Sequence, residues 1–153
     1  MSRPPRSVLF VCSGNICRSP AAEAVLRAML PDGAVSVDSA GIGDWHLGDR
    51  AHPRSIDEGE RRGYALDGRA RQVAPADFER FDLLIGMDEG HVRELRRLRP
   101  AGSTAEIVLF RDLDPEGERG IDLDDPYNLP PSEYAKMYDV IEPTCAALAR
   151  SLT

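Results

Sequence analysis

Apolar and polar positions follow two different periods along the chain. Met1 to Ser7 is a short polar lead-in with two prolines, and the run Val8-Leu9-Phe10-Val11 after it suits a short strand buried on both faces. From Pro20 to Leu30 the spacing becomes helical, with Ala22, Val25, Leu26 and Met29 on one face. Pro31-Asp32-Gly33 is turn chemistry, and Val35 to Ser39 alternates as a second strand. Ala40 to Gly48 is a glycine-rich loop. Pro53 to Arg62 reads as a helix stopped by Gly63, and Asp67 to Val73 as a basic connector. Pro75 to Phe81 is a short helical turn, Asp82 to Met87 a buried strand, and Glu89 to Leu98 a helix with an arginine-rich solvated face. Ala105 to Phe110 is the fourth strand, and Arg111 to Pro131 a polar, acid-rich loop. Ser132 to Leu152 is the last helix, with Tyr134, Met137, Tyr138, Ile141, Cys145, Leu148 and Leu152 as its apolar stripe. Strands alternating with helices predict an α/β fold, a parallel sheet covered on both faces.

The junction between the first strand and first helix carries the chemistry. It reads Cys12-Ser13-Gly14-Asn15-Ile16-Cys17-Arg18-Ser19-Pro20. A loop feeding a helix N-terminus turns backbone N–H groups toward one point, which then attracts an anion. Gly14 and Asn15 are residue types that tolerate left-handed backbone angles. Arg18 offers a planar, permanently charged fork for two phosphoryl oxygens. Such surroundings favour a thiolate, so Cys12 is a candidate nucleophile for in-line attack on phosphorus. Ser19 is placed to cap the helix, and also to hold Cys12 and stabilise it as a leaving group. Pro20 fits a first helical turn. The Gly-Lys-Ser/Thr pair of nucleotide-binding loops is absent.

Composition narrows the remaining choices. The 153 residues suit a single domain spanning 1–153. With 26 acids against 19 bases the formal charge is −7, which disfavours nucleic acid and leaves attraction of a phosphorylated substrate to the loop itself. Three cysteines, two of them near a candidate nucleophile, do not resemble a secreted disulfide framework. No apolar run suits a signal peptide or a membrane span, so a cytoplasmic enzyme without membrane insertion is expected. No ligand pattern supports a metal, and no cofactor is expected.

A phosphomonoester attacked by thiolate expels an alkoxide or phenolate, which an acid must protonate. Asp124-Asp125-Pro126-Tyr127, in the acid-rich loop, is the foremost source. Trp45 either covers the edge of the core or forms a wall of the substrate cleft. Asp88 is a helix cap or a supporting residue, Cys17 by itself a passive loop residue, and Cys145 a core residue. His46 and His52 read as surface residues, and Arg69 and Arg71 as surface or salt-bridging side chains.

The segment from Cys12 to Pro20 closely resembles the signature of the low-molecular-weight protein tyrosine phosphatases, in their bacterial form. That resemblance implies a flavodoxin-like three-layer sandwich with four parallel strands in the order 2-1-3-4. It implies catalytic residues Cys12, Arg18 and Asp125, the last through an Asp-Pro-Tyr motif, and a phosphate-binding loop of Cys12, Ser13, Gly14, Asn15, Ile16, Cys17, Arg18 and Ser19. Asn15, Ser19 and Asp88 would support it, the last within Met87-Asp88-Glu89. Trp45 and Tyr127 would wall the cleft, with Asn128 where many relatives carry a second tyrosine. Cys12 and Cys17 would form a protective, reversible disulfide. Gly68 departs from the pattern: many relatives place there a histidine that braces the loop asparagine. The implied activity is hydrolysis of phosphotyrosine in protein substrates through a phosphocysteine, releasing inorganic phosphate, by a monomer or weak homodimer. The alternatives are a phosphoarginine phosphatase, for which a threonine rather than Ile16 would be expected, an arsenate reductase, which needs further relay cysteines, and a non-catalytic phosphate-binding module.

Overall fold

The computed structural model describes residues 5–153, so the first part of the polar lead-in, residues 1–4, lies outside it. The strands are β1 (Ser7–Cys12), β2 (Ser36–Gly41), β3 (Leu83–Gly86) and β4 (Glu106–Leu109). They form one parallel sheet in the order β2-β1-β3-β4, the arrangement implied by the loop signature. The helices are α1 (Arg18–Met29), α2 (Pro53–Arg61), the four-residue α3 (Asp77–Arg80), α4 (Glu89–Leu98) and α5 (Pro131–Leu152).

β1 is central, and its alternation splits the core in two. Val8, Phe10 and Cys12 face a cluster that includes Val25 and Leu26 of α1 and Tyr138 and Ile141 of α5. Leu9 and Val11 face Phe78, Val92 and Leu95 on the other side. A strand buried on both faces reads as a continuous apolar run for this reason. Cys12 pairs with Gly41 at the carboxyl end of β1. Chain order reverses there, between β2 and β3, and parallel sheets place ligand crevices at such points.

Several boundaries move from the sequence reading. β1 and β2 reach Cys12 and Gly41 because their backbones stay paired beyond the last large apolar side chains. α1 begins at Arg18, so Ser19 lies inside its first turn and is not the cap; Cys17 holds that position without a side-chain cap bond. Met29 is 36% exposed, while Leu30 is buried. β4 ends at Leu109, and a 3₁₀ turn over Phe110–Leu113 follows. α5 carries Pro143 in its interior. Among the described residues no helix is long and apolar enough to cross a membrane.

Candidate active site

The loop between β1 and α1 turns its carbonyls outward. Cys12 O and Ser13 O accept from the N–H groups of Ile42 (2.9 Å) and Gly43 (3.0 Å), and Ile16 O from that of His52 (2.8 Å). Cys17 O accepts from Ser55 Oγ at 3.1 Å. The backbone N–H groups of residues 13–17 donate to no other group among the described residues. Buried amides are nearly always paired, so a run of free donors in one loop marks an anion seat. Asn15 supplies the left-handed turn, with φ 60°. Gly14 does not adopt positive φ, contrary to expectation; it is small because the His46 imidazole lies over it, and a Cβ there would meet His46 Cδ2 at 2.8 Å.

Cys12 is 3% exposed, and its Sγ lies 2.9 Å from Ser19 Oγ. Asn15 Nδ2 donates to Ser19 Oγ (2.8 Å) and to Ser39 Oγ (3.0 Å), and its Oδ1 accepts from the Arg71 N–H (3.0 Å). Ser39 Oγ in turn donates to Glu23 Oε1 at 2.5 Å. The asparagine is thus braced by β2 and the 67–73 connector, without a side chain at residue 68. Because Ser19 Oγ accepts from Asn15, its own proton is free to point at the sulfur. Arg71 is salt-bridging, bidentate to Asp77 at 3.0 Å for both bonds.

Arg18 is buried at 3% exposure, with one arm of its fork engaged by the protein. Its Nη1 donates to Asp88 Oδ2 (3.0 Å) and Leu123 O (2.9 Å). Its Nη2 lies 3.5 Å from both Ser13 Oγ and Asp125 Oδ2. Asp88 caps α4 and pairs with Arg18, so both readings of it hold together. Burial alone would raise the Asp88 carboxyl; the His91 backbone N–H and Arg18 outweigh it and hold it below the usual range. His91, which sequence reasoning passed over, closes a capping box: Asp88 N–H donates to His91 Nδ1 at 3.1 Å. Its Nε2 lies 2.9 Å from Ser13 Oγ. The Asp-x-x-His spacing could have signalled the cap, but not the loop contact.

One cavity of about 120 Å³ collects these groups. Cys12, Ser13, Gly14, Ile16, Cys17 and Arg18 form its floor and side, and Trp45, His46, Asp125 and Tyr127 its mouth. Asp125 Oδ1 accepts from the Tyr127 N–H at 3.1 Å, which aims the carboxylate inward, whereas Asp124 does not line this cavity. Trp45 is 70% exposed and lies over Gly43, where a Cβ would meet the indole at 2.2 Å. Asn128 lies outside the lining; it makes a left-handed turn, with φ 64°. His46 and His52 are not plain surface residues. The first packs 6.1 Å from the Tyr127 ring, and the second caps α2 and stacks 5.4 Å from the Tyr134 ring. Cys17 Sγ lies 3.6 Å from Tyr134 Oη, and burial pushes its thiol up to about 12. Among the described residues no cluster of three His, Cys, Asp or Glu side chains is placed to hold a metal ion.

A buried cysteine followed by unpaired loop amides, with an arginine and a carboxylate lining the same cavity at the switch point of a parallel sheet, is the arrangement a cysteine-dependent phosphatase requires. The model of the family described as "Low molecular weight phosphotyrosine protein phosphatase" matches residues 7–153, and the chain belongs to that family. It is 48% identical over 126 residues to a low molecular weight protein-tyrosine-phosphatase of Streptomyces coelicolor, covering 78% of this chain and 77% of that one. It is 46% identical over 127 residues to low molecular weight phosphotyrosine protein phosphatase 1 of Drosophila melanogaster, covering 80% of each. The crystal structure of a protein tyrosine phosphatase from Entamoeba histolytica superimposes with a TM-score of 0.89 at 33% identity, over 95% of this chain and 96% of that one.

Proposed function

We propose that the protein hydrolyses phosphotyrosine monoesters in protein substrates, with Cys12 as nucleophile, Arg18 as phosphoryl clamp and Asp125 as general acid and base. The unpaired amides of the loop that follows Cys12, with Cys12 and Asp125 lining one cavity, are the observation that supports this reading. The phosphoryl group sits on the N–H groups of residues 13–17, with the Arg18 fork on two of its oxygens. Cys12 Sγ attacks phosphorus in line. As the S–P bond forms the ester P–O bond breaks, and its electron pair leaves on the phenolic oxygen, which takes the Asp125 proton. Asp125, now a carboxylate, removes a proton from water as that water attacks phosphorus. The S–P electrons return to Cys12, where the Ser19 O–H stabilises them, and inorganic phosphate leaves.

The indole of Trp45 and the ring of Tyr127 flank a phenyl group on its way to the sulfur, and Ile16 gives the floor an apolar surface. Ile16 offers no hydroxyl to a guanidinium, which argues against phosphoarginine. Cys145 is fully buried with its Sγ toward Ala22 O, so it supplies no relay thiol for arsenate reduction. Cys17 serves as resolving thiol: peroxide oxidises the Cys12 sulfur to a sulfenic acid, Cys17 sulfur displaces its oxygen as water, and a dithiol reductant restores both. The protein acts in the cytoplasm, as one domain and as a monomer or weak homodimer.

The test is a rate comparison on phosphotyrosine, phosphoserine and phosphoarginine peptides without added metal, alongside Cys12→Ser and Asp125→Asn. Fast phosphotyrosine turnover abolished by Cys12→Ser supports the assignment. Rapid phosphoserine turnover, or an unimpaired Asp125→Asn variant, overturns it.

A further inference from the structure

We propose that the Ser13 hydroxyl donates a hydrogen bond to the bound phosphoryl group, and that His91 is the positioning residue that aims it. This deepens the phosphatase reading and rests on it. The Asp88 backbone N–H can only donate, and it faces His91 Nδ1 at 3.1 Å. Nδ1 is therefore the acceptor, and the imidazole carries its proton on Nε2. A proton on Nδ1, directed at Asp88 Oδ1 3.3 Å away, would set donor against donor at the Asp88 N–H.

Nε2 lies 2.9 Å from Ser13 Oγ, so the serine oxygen accepts from it. Arg18 Nη2, also a pure donor, approaches the same oxygen at 3.5 Å. A hydroxyl has two acceptor sites and one proton. With donors facing both sites, the proton remains, and no acceptor for it stands within hydrogen-bond distance among the described residues. Ser13 lines the cavity next to Cys12, so the proton is directed toward the place where phosphoryl oxygens sit. His91 is 4% exposed, and burial together with Arg18 pushes its imidazole down to about 4. Above that range it stays neutral, with its tautomer fixed by the Asp88 N–H. The result is a side-chain donor that supplements the loop amides, held from α4 across 78 residues of sequence.

His91 also caps α4, so the test must separate the two roles. Asparagine in its place keeps an acceptor for the Asp88 N–H but is too short to reach Ser13, whereas glutamine keeps the reach. Steady-state kinetics on a phosphotyrosine peptide, with inorganic phosphate as competitive inhibitor, are compared for wild type, Ser13→Ala, His91→Asn, His91→Gln and the double variant Ser13→Ala/His91→Asn. Hydrogen bonds to charged groups are the stronger kind, so Ser13→Ala and His91→Asn should each raise the phosphate Ki and the KM by about tenfold, with kcat changed less. The double variant should match either single one, because both remove the same bond. His91→Gln should recover most of the loss, and His91→Asn should melt with the wild type. A phosphate Ki within about twofold of wild type in both single variants, or losses that add, overturns the proposal. Wild-type enzyme inactive on the peptide would instead overturn the phosphatase reading itself.

Discussion

Asp125 and Cys12 face each other across a small cavity, and what separates their roles is setting. The sulfur is almost completely covered and touched by Ser19, while the Asp125 side chain is 45% exposed at the mouth. A general acid needs that position, since it must meet both the leaving oxygen and incoming water. Asp125→Asn should lower kcat by about 10²–10³-fold on phosphotyrosine, and far less on an ester with a good leaving group such as p-nitrophenyl phosphate. Equal losses on both substrates would remove the acid role. Cys17 invites a second comparison. Wild-type enzyme inactivated by peroxide should recover with dithiothreitol, whereas Cys17→Ala should not, because its sulfenic acid proceeds to irreversible forms. Recovery of both variants to the same extent would show that Cys17 does not resolve the oxidised nucleophile.

At the scale of elements, α4 does more than cover the sheet. Its capping residue Asp88 orients Arg18 (3.0 Å), and its third residue His91 reaches Ser13 (2.9 Å). The buried imidazole leaves a signature in stability. Unfolded, His91 takes up its proton near about 6.5; folded, only near about 4. Between those values the unfolded chain binds more protons, so stability falls as pH drops through that window, by up to about 1.4 kcal/mol per pH unit from this group. Above it the group contributes no slope. Urea midpoints measured from pH 4.5 to 7 should therefore fall more steeply for wild type than for His91→Asn. Identical slopes would mean that the folded imidazole is not held neutral.

On the proposed function, the whole molecule decides which phosphate ester reaches the sulfur. Trp45 follows β2 and Tyr127 lies in the segment between β4 and α5, so the two walls meet only because β2 and β4 flank the β1–β3 pair from opposite sides. Trp45→Ala and Tyr127→Ala should each raise KM for a phosphotyrosine peptide by about tenfold, comparable to the loss of one aromatic contact. The KM for a small alkyl phosphate should barely move. A uniform loss on both substrates would show that the walls hold the loop rather than the ring. The same scale explains Gly68. The loop asparagine is braced by Ser39 from β2 and by the Arg71 backbone, so the missing histidine leaves it held.

The loop from Cys12 to Pro20 was legible in sequence because its geometry is local: a strand, a left-handed Asn15 and a helix within nine residues dictate where amides point. Even there, the cap assigned to Ser19 and the freedom assigned to Gly14 had other causes, since Ser19 turns toward Cys12 and Asn15, and His46 covers Gly14. The element order and the apolar faces were likewise written in short periods. The contacts that aim the site were not. Arg18 meets Asp88 across 70 residues and Leu123 across 105, and Ser13 meets His91 across 78. No local propensity encodes such pairs; they exist because the sheet order brings β3 and the segment after β4 beside the end of β1, and only folding sets that distance.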